Sequence, residues 1–310
     1  QESDILKANE GLYRIGALQT DDDNNLFVIS PTGSRMNAFP LRPELTRGLI
    51  EAQDNNRSLL QMTRLAVIIS AIEAGGLQDY TKDAGDEWRE FLRETTADDM
   101  LAQYDLMTAL PFVHEDDISE RFVSQYDLNY RHVERALKVS RQILKKLGIN
   151  RRNIVLTPPN QAEEEELRHD LTAGLIDSVY RKVGYHQKRQ MYRNIHGAPG
   201  ATERYVSERS IMSSHEHEYV AGMPRWFIRG RNTHNIVELA MPVDPAVVAK
   251  FALRNNILDR VVIGAKMVDG AVAEQYQMKF GSINVGGPKQ GDFTSEVPAK
   301  FQETLVQHVL

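Results

Sequence analysis

Lysine and arginine residues lie along one side of residues 129–148, whose spacing is that of an amphipathic helix. At about 100° per residue, the apolar side chains share one face and the basic ones share the opposite face. A row of cations can neutralise nucleic-acid phosphates, and the helical phase selects Arg135 and Lys138 as contacts. The alternative is a solvated polar face, although such faces usually mix both signs of charge.

A second basic segment covers residues 181–193, which carry five Lys or Arg and no acid. Residues 131–152 carry eight Lys or Arg and one acid, so the two segments together hold +12 in a chain whose net charge is −6. Interleaved aromatic side chains could stack unpaired bases, and they are Tyr180, Tyr185 and Tyr192. The contacts predicted in this segment are Lys188, Arg189 and Arg193. A flexible basic loop is the alternative.

Patterns for catalysis or metal binding are absent from the sequence. It contains no GxxxxGK[ST], GxSxG, HExxH or GxGxxG. His215 and His217 could share a strand face, but no third metal ligand is evident, so we interpret them as a polar segment near a nucleic-acid backbone. Aspartates 21–23 lack the glycine and glutamate of a calcium loop and indicate a hairpin turn. We expect no catalysis and no cofactor or metal in this chain alone.

Length and composition predict a protein of two or three domains, since 310 residues that are 41% apolar can form real cores. The absence of cysteine excludes disulfides and thiolate metal sites, which fits a reducing cytoplasm. No run of 18 apolar residues and no signal peptide is present, so we expect a cytoplasmic protein without a membrane partner. The chain begins at Gln1 rather than at methionine, from which we expect a part of a longer protein.

The elements that would position these residues change in character along the chain. Up to about residue 180 the pattern predicts mainly helices, with a hairpin around residues 21–25, a core helix ended by Gly75 and Gly76, and a helix from Asn160 to Val179. Short β-like runs then predict a small barrel. A helix from Pro245, strands across residues 261–291 and a helix at residues 301–310 complete the prediction.

Five segments follow one another in an informative order. They are LYRIGALQTDDDNNLFVISPTGSRMNAFPLRPELTRGLIEA (residues 12–52), LLQMTRLAVIISAIEAGG (59–76), DLNYR (127–131), LRHDLTAGLIDSVYRKVG (167–184) and PRWFIRGRNTHNIVELAMPVDPAVVAKFA (224–252). Across about residues 5–255 they resemble the region that follows the motor domains in DEAH-box ATP-dependent RNA helicases. Arg42 stands where that family has aspartate, residues 229–231 stand where it has an acidic or polar residue, and residues 201–222 match it only loosely. Residues 260–310 do not align with it, and together these departures indicate a divergent, bacterial-type member.

The resemblance implies an α+β multidomain fold. Its parts would be a winged-helix tail at residues 1–47, an all-α ratchet-like helical domain at 48–178, a small oligonucleotide-binding (OB) type β-barrel at 179–260, and an extension of unknown fold at 261–310. By the same resemblance, Asn129 and Arg131 would begin the ratchet helix and face the bound strand.

The implied function is to hold single-stranded RNA, or DNA, and to couple it to the protein's own motor domains. ATP and Mg would belong to those motor domains, whose sequence motifs this chain lacks. One alternative is a non-enzymatic binding module whose barrel receives a regulatory protein, such as an activator. Another is a core fragment with no independent activity.

Overall fold

The computed structural model describes most of the chain, namely residues 2–21, 26–78, 85–109, 120–150, 154–197, 201–229, 232–268 and 271–293. The fold is α+β, as predicted. It divides into two compact units, of which the first comprises residues 1–194 and 199–244 and the second comprises 195–198 and 245–310. No helix among the described residues has both the length and the apolar character needed to cross a membrane.

Helices dominate the first unit up to residue 178. They are α1 (Glu2–Arg14), α2 (Pro31–Met36), α3 (Pro43–Asp54), α4 (Leu59–Ala74), α5 (Asp99–Ala109), α6 (Glu120–Gln125), α7 (Tyr130–Lys146) and α8 (Gln161–Gly174). Between α1 and α2, strands β1 (Leu18–Asp21) and β2 (Leu26–Ile29) pair antiparallel, which confirms the predicted hairpin.

Helix α4 forms the centre of the helical region. It is predominantly apolar and almost wholly buried, and α3, α5, α7 and α8 all pack against it. A helix that is hydrophobic all round must be enclosed by others. Ser58 caps its first turn, and Gly75 ends it with φ 101°, a left-handed conformation that favours glycine. Both ends of this helix are therefore encoded locally in the sequence.

The helix predicted from Asn160 to Val179 is shorter in the structure. Its start is as predicted, because Asn160 and Glu163 form a reciprocal capping box with bonds of 2.8 and 3.1 Å. It ends at Gly174, where an added Cβ would lie 2.1 Å from the carbonyl oxygen of Glu44 on α3. The apolar residues beyond Gly174 form a 3-10 turn and the first barrel strand. Their helix-like spacing arises because they are buried, and the prediction that the helix continues to Val179 was wrong.

Five strands of the first unit pair in a closed ring. They are β3 (Val179–His186), β4 (Arg189–Asn194), β5 (Arg204–Val206), β6 (Tyr219–Arg229) and β7 (Asn232–Pro242). The order around the barrel is β3-β4-β5-β7-β6, and β6 pairs back to β3. Only the β5–β7 pairing in this ring is parallel. The interior is filled by Tyr180, Tyr192, Met212, Val220, Val237 and Ala240.

The second unit contains α9 (Pro245–Arg254) and an antiparallel sheet of three strands. These are β8 (Asp259–Val268), β9 (Ala271–Phe280) and β10 (Ile283–Phe293), with β9 in the middle. The helix and strands predicted here are confirmed, but the expected boundary at residue 260 falls inside β8. The helix predicted for residues 301–310 lies outside the described residues.

Candidate nucleic-acid interface

Helix α7 has the two faces that its sequence predicts. Its apolar side packs on α4 and buries Val133, Ala136, Leu137, Ser140, Ile143 and Leu144. The opposite side is open to solvent and carries Arg131, Arg135 and Lys138. We call these three residues the basic stripe. Packing on α4 fixes the direction in which the stripe points, so its charge is held in place rather than carried on a mobile loop.

The members of the basic stripe differ in their partners. Arg131 and Lys138 have no ion-pair partner among the described residues. Arg135 lies 3.2 Å from Glu73 on α4, which also binds Arg42 at 3.0 Å. Since one carboxylate sits between two guanidinium groups, the cluster keeps a net positive charge. Arg135 is 59% exposed, and Glu73 keeps Arg42 as a partner, so Arg135 can exchange Glu73 for a phosphate without leaving that carboxylate unpaired.

Asn129 serves as the N-cap of α7. Its side-chain oxygen accepts a hydrogen bond from the backbone N–H of His132 at 3.2 Å, and its own N–H donates to Leu77 at 2.8 Å. The carbonyl end of the side chain is therefore used within the fold. Only the amide nitrogen is left for the nucleic-acid contact predicted from the family resemblance.

The second basic segment forms the β3–β4 hairpin rather than a flexible loop. Gln187 and Lys188 make a two-residue turn with φ of 49° and 67°, which exposes the lysine at the tip. Arg189 follows and forms an ion pair with Glu208. Arg193 is half-buried and paired with Glu203 at 2.7 Å, so it is the least available of the predicted contacts.

The tyrosines of this segment do not provide the stacking faces that the sequence suggested. Tyr180 and Tyr192 are 3% and 1% exposed and belong to the barrel core, because strand alternation turns them inward and their basic neighbours outward. Tyr185 is exposed, but its hydroxyl accepts from Lys182 Nζ at 2.6 Å and donates to Glu216. The prediction of base stacking was thus wrong for Tyr180 and Tyr192.

The exposed aromatic surface lies instead on the β6–β7 hairpin. Trp226 is 68% exposed, and Phe227 stacks on His234 with ring centroids 5.1 Å apart and planes 11° apart. These residues wall a cleft of about 350 Å³ on the barrel surface, which we call the barrel cleft. Its other lining residues include Arg189, Tyr205, Arg209, Arg225, Ile236 and Glu238. A tryptophan and phenylalanine between arginines, in the run RWFIR, was the available sequence signal.

Arg225 connects the barrel cleft to the helical region. Its Nη2 donates to the carbonyl oxygen of Gly75 at 3.3 Å, and its Nε lies 2.9 Å from Glu238. The next glycine, Gly76, accepts from His132 Nδ1 at 2.7 Å in the first turn of α7. The N-terminal end of α7, the end of α4 and the cleft therefore meet at one junction. The basic stripe begins where the barrel cleft ends.

A bulge in β7 directs Glu238 into the barrel cleft. Leu239 has φ 51°, and the pairing of β6 with β7 shifts register at this point. Gly222 on the facing strand β6 provides the space for this bulge, since an added Cβ there would lie 2.6 Å from the side chain of Val237. Beneath it, the buried carboxylate of Asp99 accepts from Ala240 N–H and from Ile211 N–H, both at 2.8 Å. Burial raises the pKa of Asp99 to about 6.

The histidine pair at 215 and 217 does not line the barrel cleft. The two rings are 6.5 Å apart, and burial together with His215 holds the pKa of His217 below its ordinary value. No three His, Asp or Glu side chains converge as a metal site requires anywhere in the described part of the chain. Glu216 and Glu218 flank His217 in the sequence. Glu216 pairs with Lys182, and Glu218 pairs with Arg181.

No protein-family model matches the chain, and no curated protein matches it. The surface of the first unit combines cations in a fixed direction, exposed aromatic faces and a buried carboxylate in one connected region.

Proposed function

We propose that this chain binds single-stranded RNA across the barrel cleft and the basic stripe, as the C-terminal accessory region of an ATP-dependent RNA helicase. The observation that carries the proposal is the junction at Arg225, which joins exposed aromatic faces to a row of cations. Aromatic faces stack unpaired bases, and cations follow the backbone between them. A strand lying across the junction would use both.

The order of the barrel strands supports this function. In β3-β4-β5-β7-β6 the first strand pairs with the second and the fourth, an arrangement that fits the five-stranded Greek-key barrel of the OB type. Such barrels bind oligonucleotides on their second and third strands and on the loops between strands one and two and between four and five. Here those positions correspond to β4, β5, the turn at Lys188 and the β6–β7 hairpin. The barrel cleft lies among them.

The helical region supports the wider assignment. Helix α1, the β1–β2 hairpin and helix α2 follow one another as the tail of a winged-helix module would. Helix α7 then holds its cations beside the barrel, as the resemblance to DEAH-box helicases implies for a ratchet helix. In this proposal the motor domains, with their ATP and Mg, belong to the parent protein. This chain binds the RNA strand and couples it to those motor domains.

A single strand fits the barrel cleft better than a duplex does. Bases in a duplex are stacked on each other and cannot lie flat against Trp226 or Phe227, whereas bases of a single strand can. The cleft, at about 350 Å³, has room for a base but not for a helix. The choice of RNA over DNA follows from the family resemblance.

Tryptophan fluorescence offers a direct test, because the chain has two tryptophans in opposite environments. Trp88 is 1% exposed, while Trp226 is 68% exposed on the cleft wall. Adding an RNA of about 12 nucleotides, a length suited to such barrels, should change the emission of Trp226 as bases stack on it. In Trp226→Phe the emission change should disappear, while fluorescence anisotropy of labelled RNA still reports binding.

Two outcomes of this titration would count against the proposal. If the chain binds no RNA at low salt, the function is wrong. If it binds RNA without any change in Trp226 emission, the cleft is not the binding surface. Running the same titration with DNA of the same sequence measures the preference for RNA.

A protein partner at the same hairpin is the alternative function. Trp226, Phe227 and Ile228 form a continuous exposed apolar stretch, with 68%, 44% and 67% of each side chain open to solvent. Exposed apolar patches often mark protein interfaces. This alternative predicts that alanine at Trp226 leaves RNA affinity unchanged.

A further inference from the structure

The floor of the barrel cleft holds Glu238, one of whose carboxylate oxygens accepts no hydrogen bond from the described residues. The side chain of Glu238 is 5% exposed, and its Oε2 accepts no hydrogen bond from any described residue. Its contact there is an ion pair with Arg225, whose Nε lies 2.9 Å away. An ionised carboxylate can accept about four hydrogen bonds, and the described residues leave part of this capacity unused at Oε2.

Stability alone does not explain a charge in this position. A buried ion pair seldom stabilises a fold more than apolar residues of similar size would, because both charges lose their water. Burial raises the pKa of Glu238, and Asp99 adds to that effect, while Arg225 opposes it. The fold thus keeps an unfavourable group where the β7 bulge points it into a cleft walled by aromatic rings.

The combination of groups selects among the RNA bases. A base stacked on the cleft wall would turn its edge to the floor, where it meets the acceptor Glu238 and the donor Arg225. Uracil, cytosine and adenine each present at most one hydrogen-bond donor group on their pairing edge. Guanine presents two side by side, N1–H and the N2 amino group, with the acceptor O6 next to them. Two adjacent donors match the two oxygens of one carboxylate, and O6 matches a guanidinium group.

We propose that the barrel cleft binds a guanine base, with the Glu238 carboxylate accepting from N1–H and the N2 amino group. The inference rests on the proposed binding of single-stranded RNA and adds a base preference to it. Arg225 pairs with the carboxylate from one side and, as a lining residue of the cleft, offers a donor for O6. The remaining nucleotides are held by stacking and by the basic stripe, neither of which distinguishes bases.

Oligonucleotides that differ in one base test the preference without altering the protein. The probes are labelled oligouridines of about 12 nucleotides carrying guanosine, inosine, adenosine or uridine at one central position. We expect the guanosine probe to bind about tenfold more tightly than the uridine and adenosine probes in fluorescence anisotropy. Inosine lacks the N2 amino group, so its probe should lose most of that gain.

A pair of variants tests whether Glu238 is the residue that selects guanine. Glu238→Gln should bring the ratio of guanosine-probe to uridine-probe affinity to about one, because an amide replaces one acceptor oxygen with a donor. Glu208→Gln is the matched control, since Glu208 lines the same cleft but is 69% exposed on its rim beside Arg189. That variant should keep the full preference. Thermal melting shows whether each variant folds.

The outcomes separate this inference from the proposed function. Equal affinity of the native chain for the guanosine and uridine probes overturns the guanine preference while strand binding stands. A guanosine preference that persists in folded Glu238→Gln overturns the role of Glu238. If Glu238→Gln does not fold, the native chain still tests the inference with the guanosine and inosine probes. Equal affinity for these two probes would exclude an acceptor that contacts the N2 amino group. Failure to bind any probe overturns both proposals.

Discussion

The basic stripe and the barrel cleft are neighbours on the surface, yet they arise from the sequence in different ways. The stripe comes from one helix, whose residues lie three or four positions apart and need only a helical backbone to align. The cleft gathers residues from four strands, including Tyr205 on β5, Trp226 on β6 and His234 on β7. Its geometry depends on strand register and on one parallel pairing.

The two regions also offer different chemistry to a ligand. The stripe provides solvated charges that attract a phosphate backbone over several ångströms and are screened by salt. The cleft provides flat apolar faces and a desolvated carboxylate, which act only on contact. The stripe should therefore set how strongly affinity depends on salt, and the cleft should set which nucleotides are held.

Reversing two charges of the stripe should have the largest effect. In Arg131→Glu with Arg135→Glu, affinity for single-stranded RNA should fall by about two orders of magnitude at low salt. The slope of log K against log salt should also become shallower by about 1.4, since two phosphate contacts are lost. Anisotropy titrations across a salt series measure both quantities.

The same helix supplies a matched control for this double variant. Lys145→Glu with Lys146→Glu reverses the same number of charges at the other end of α7, about 20 Å along its axis. We expect a much smaller loss of affinity, because these lysines lie far from the junction at Arg225. Equal losses in the two double variants would show that only the net charge of the chain matters.

Removing the aromatic wall should have a smaller effect of a different kind. Trp226→Ala should weaken RNA binding by about tenfold, the range measured for a lost base stack, and leave the salt slope unchanged. Ile228→Ala is the control, because Ile228 is 67% exposed on the same hairpin but does not line the cleft. A change of salt slope in Trp226→Ala would mean that the two regions are not separable.

The contrast also shows what could be predicted from the sequence. Helix α7, its buried face and the capping box at Asn160 and Glu163 follow from patterns within a few residues, and the structure confirms them. The exposed cleft could not be predicted in the same way. Its members meet only through pairings such as Tyr205 with Ile236, which no local pattern specifies.

Strand alternation explains why two tyrosines of the second basic segment face the barrel core. Tyr180 is followed by Arg181, and Tyr192 by Arg193, so in a strand each tyrosine faces away from its basic neighbour. The barrel places both tyrosines inside and leaves Arg181 exposed. The end of α8 at Gly174 could not be predicted from the neighbouring sequence, since the glycine is required there by the close approach of α3.

The smallest predicted effect concerns Asn129, where the stripe meets the junction. Asn129→Ala removes the N-cap of α7 and should lower the free energy of unfolding by about 1 kcal/mol. Asn129→Ser keeps a capping oxygen and should restore most of that stability in chemical denaturation. Both variants lack the amide group, so both should lose a few-fold in RNA affinity if that nitrogen donates to the strand. Serine keeps the capping oxygen but lacks the amide donor, so Asn129→Ser tests the two roles separately. Native-like RNA affinity in this variant would mean that Asn129 acts only as a helix cap. The RNA contact at this end of α7 would then be made by Arg131.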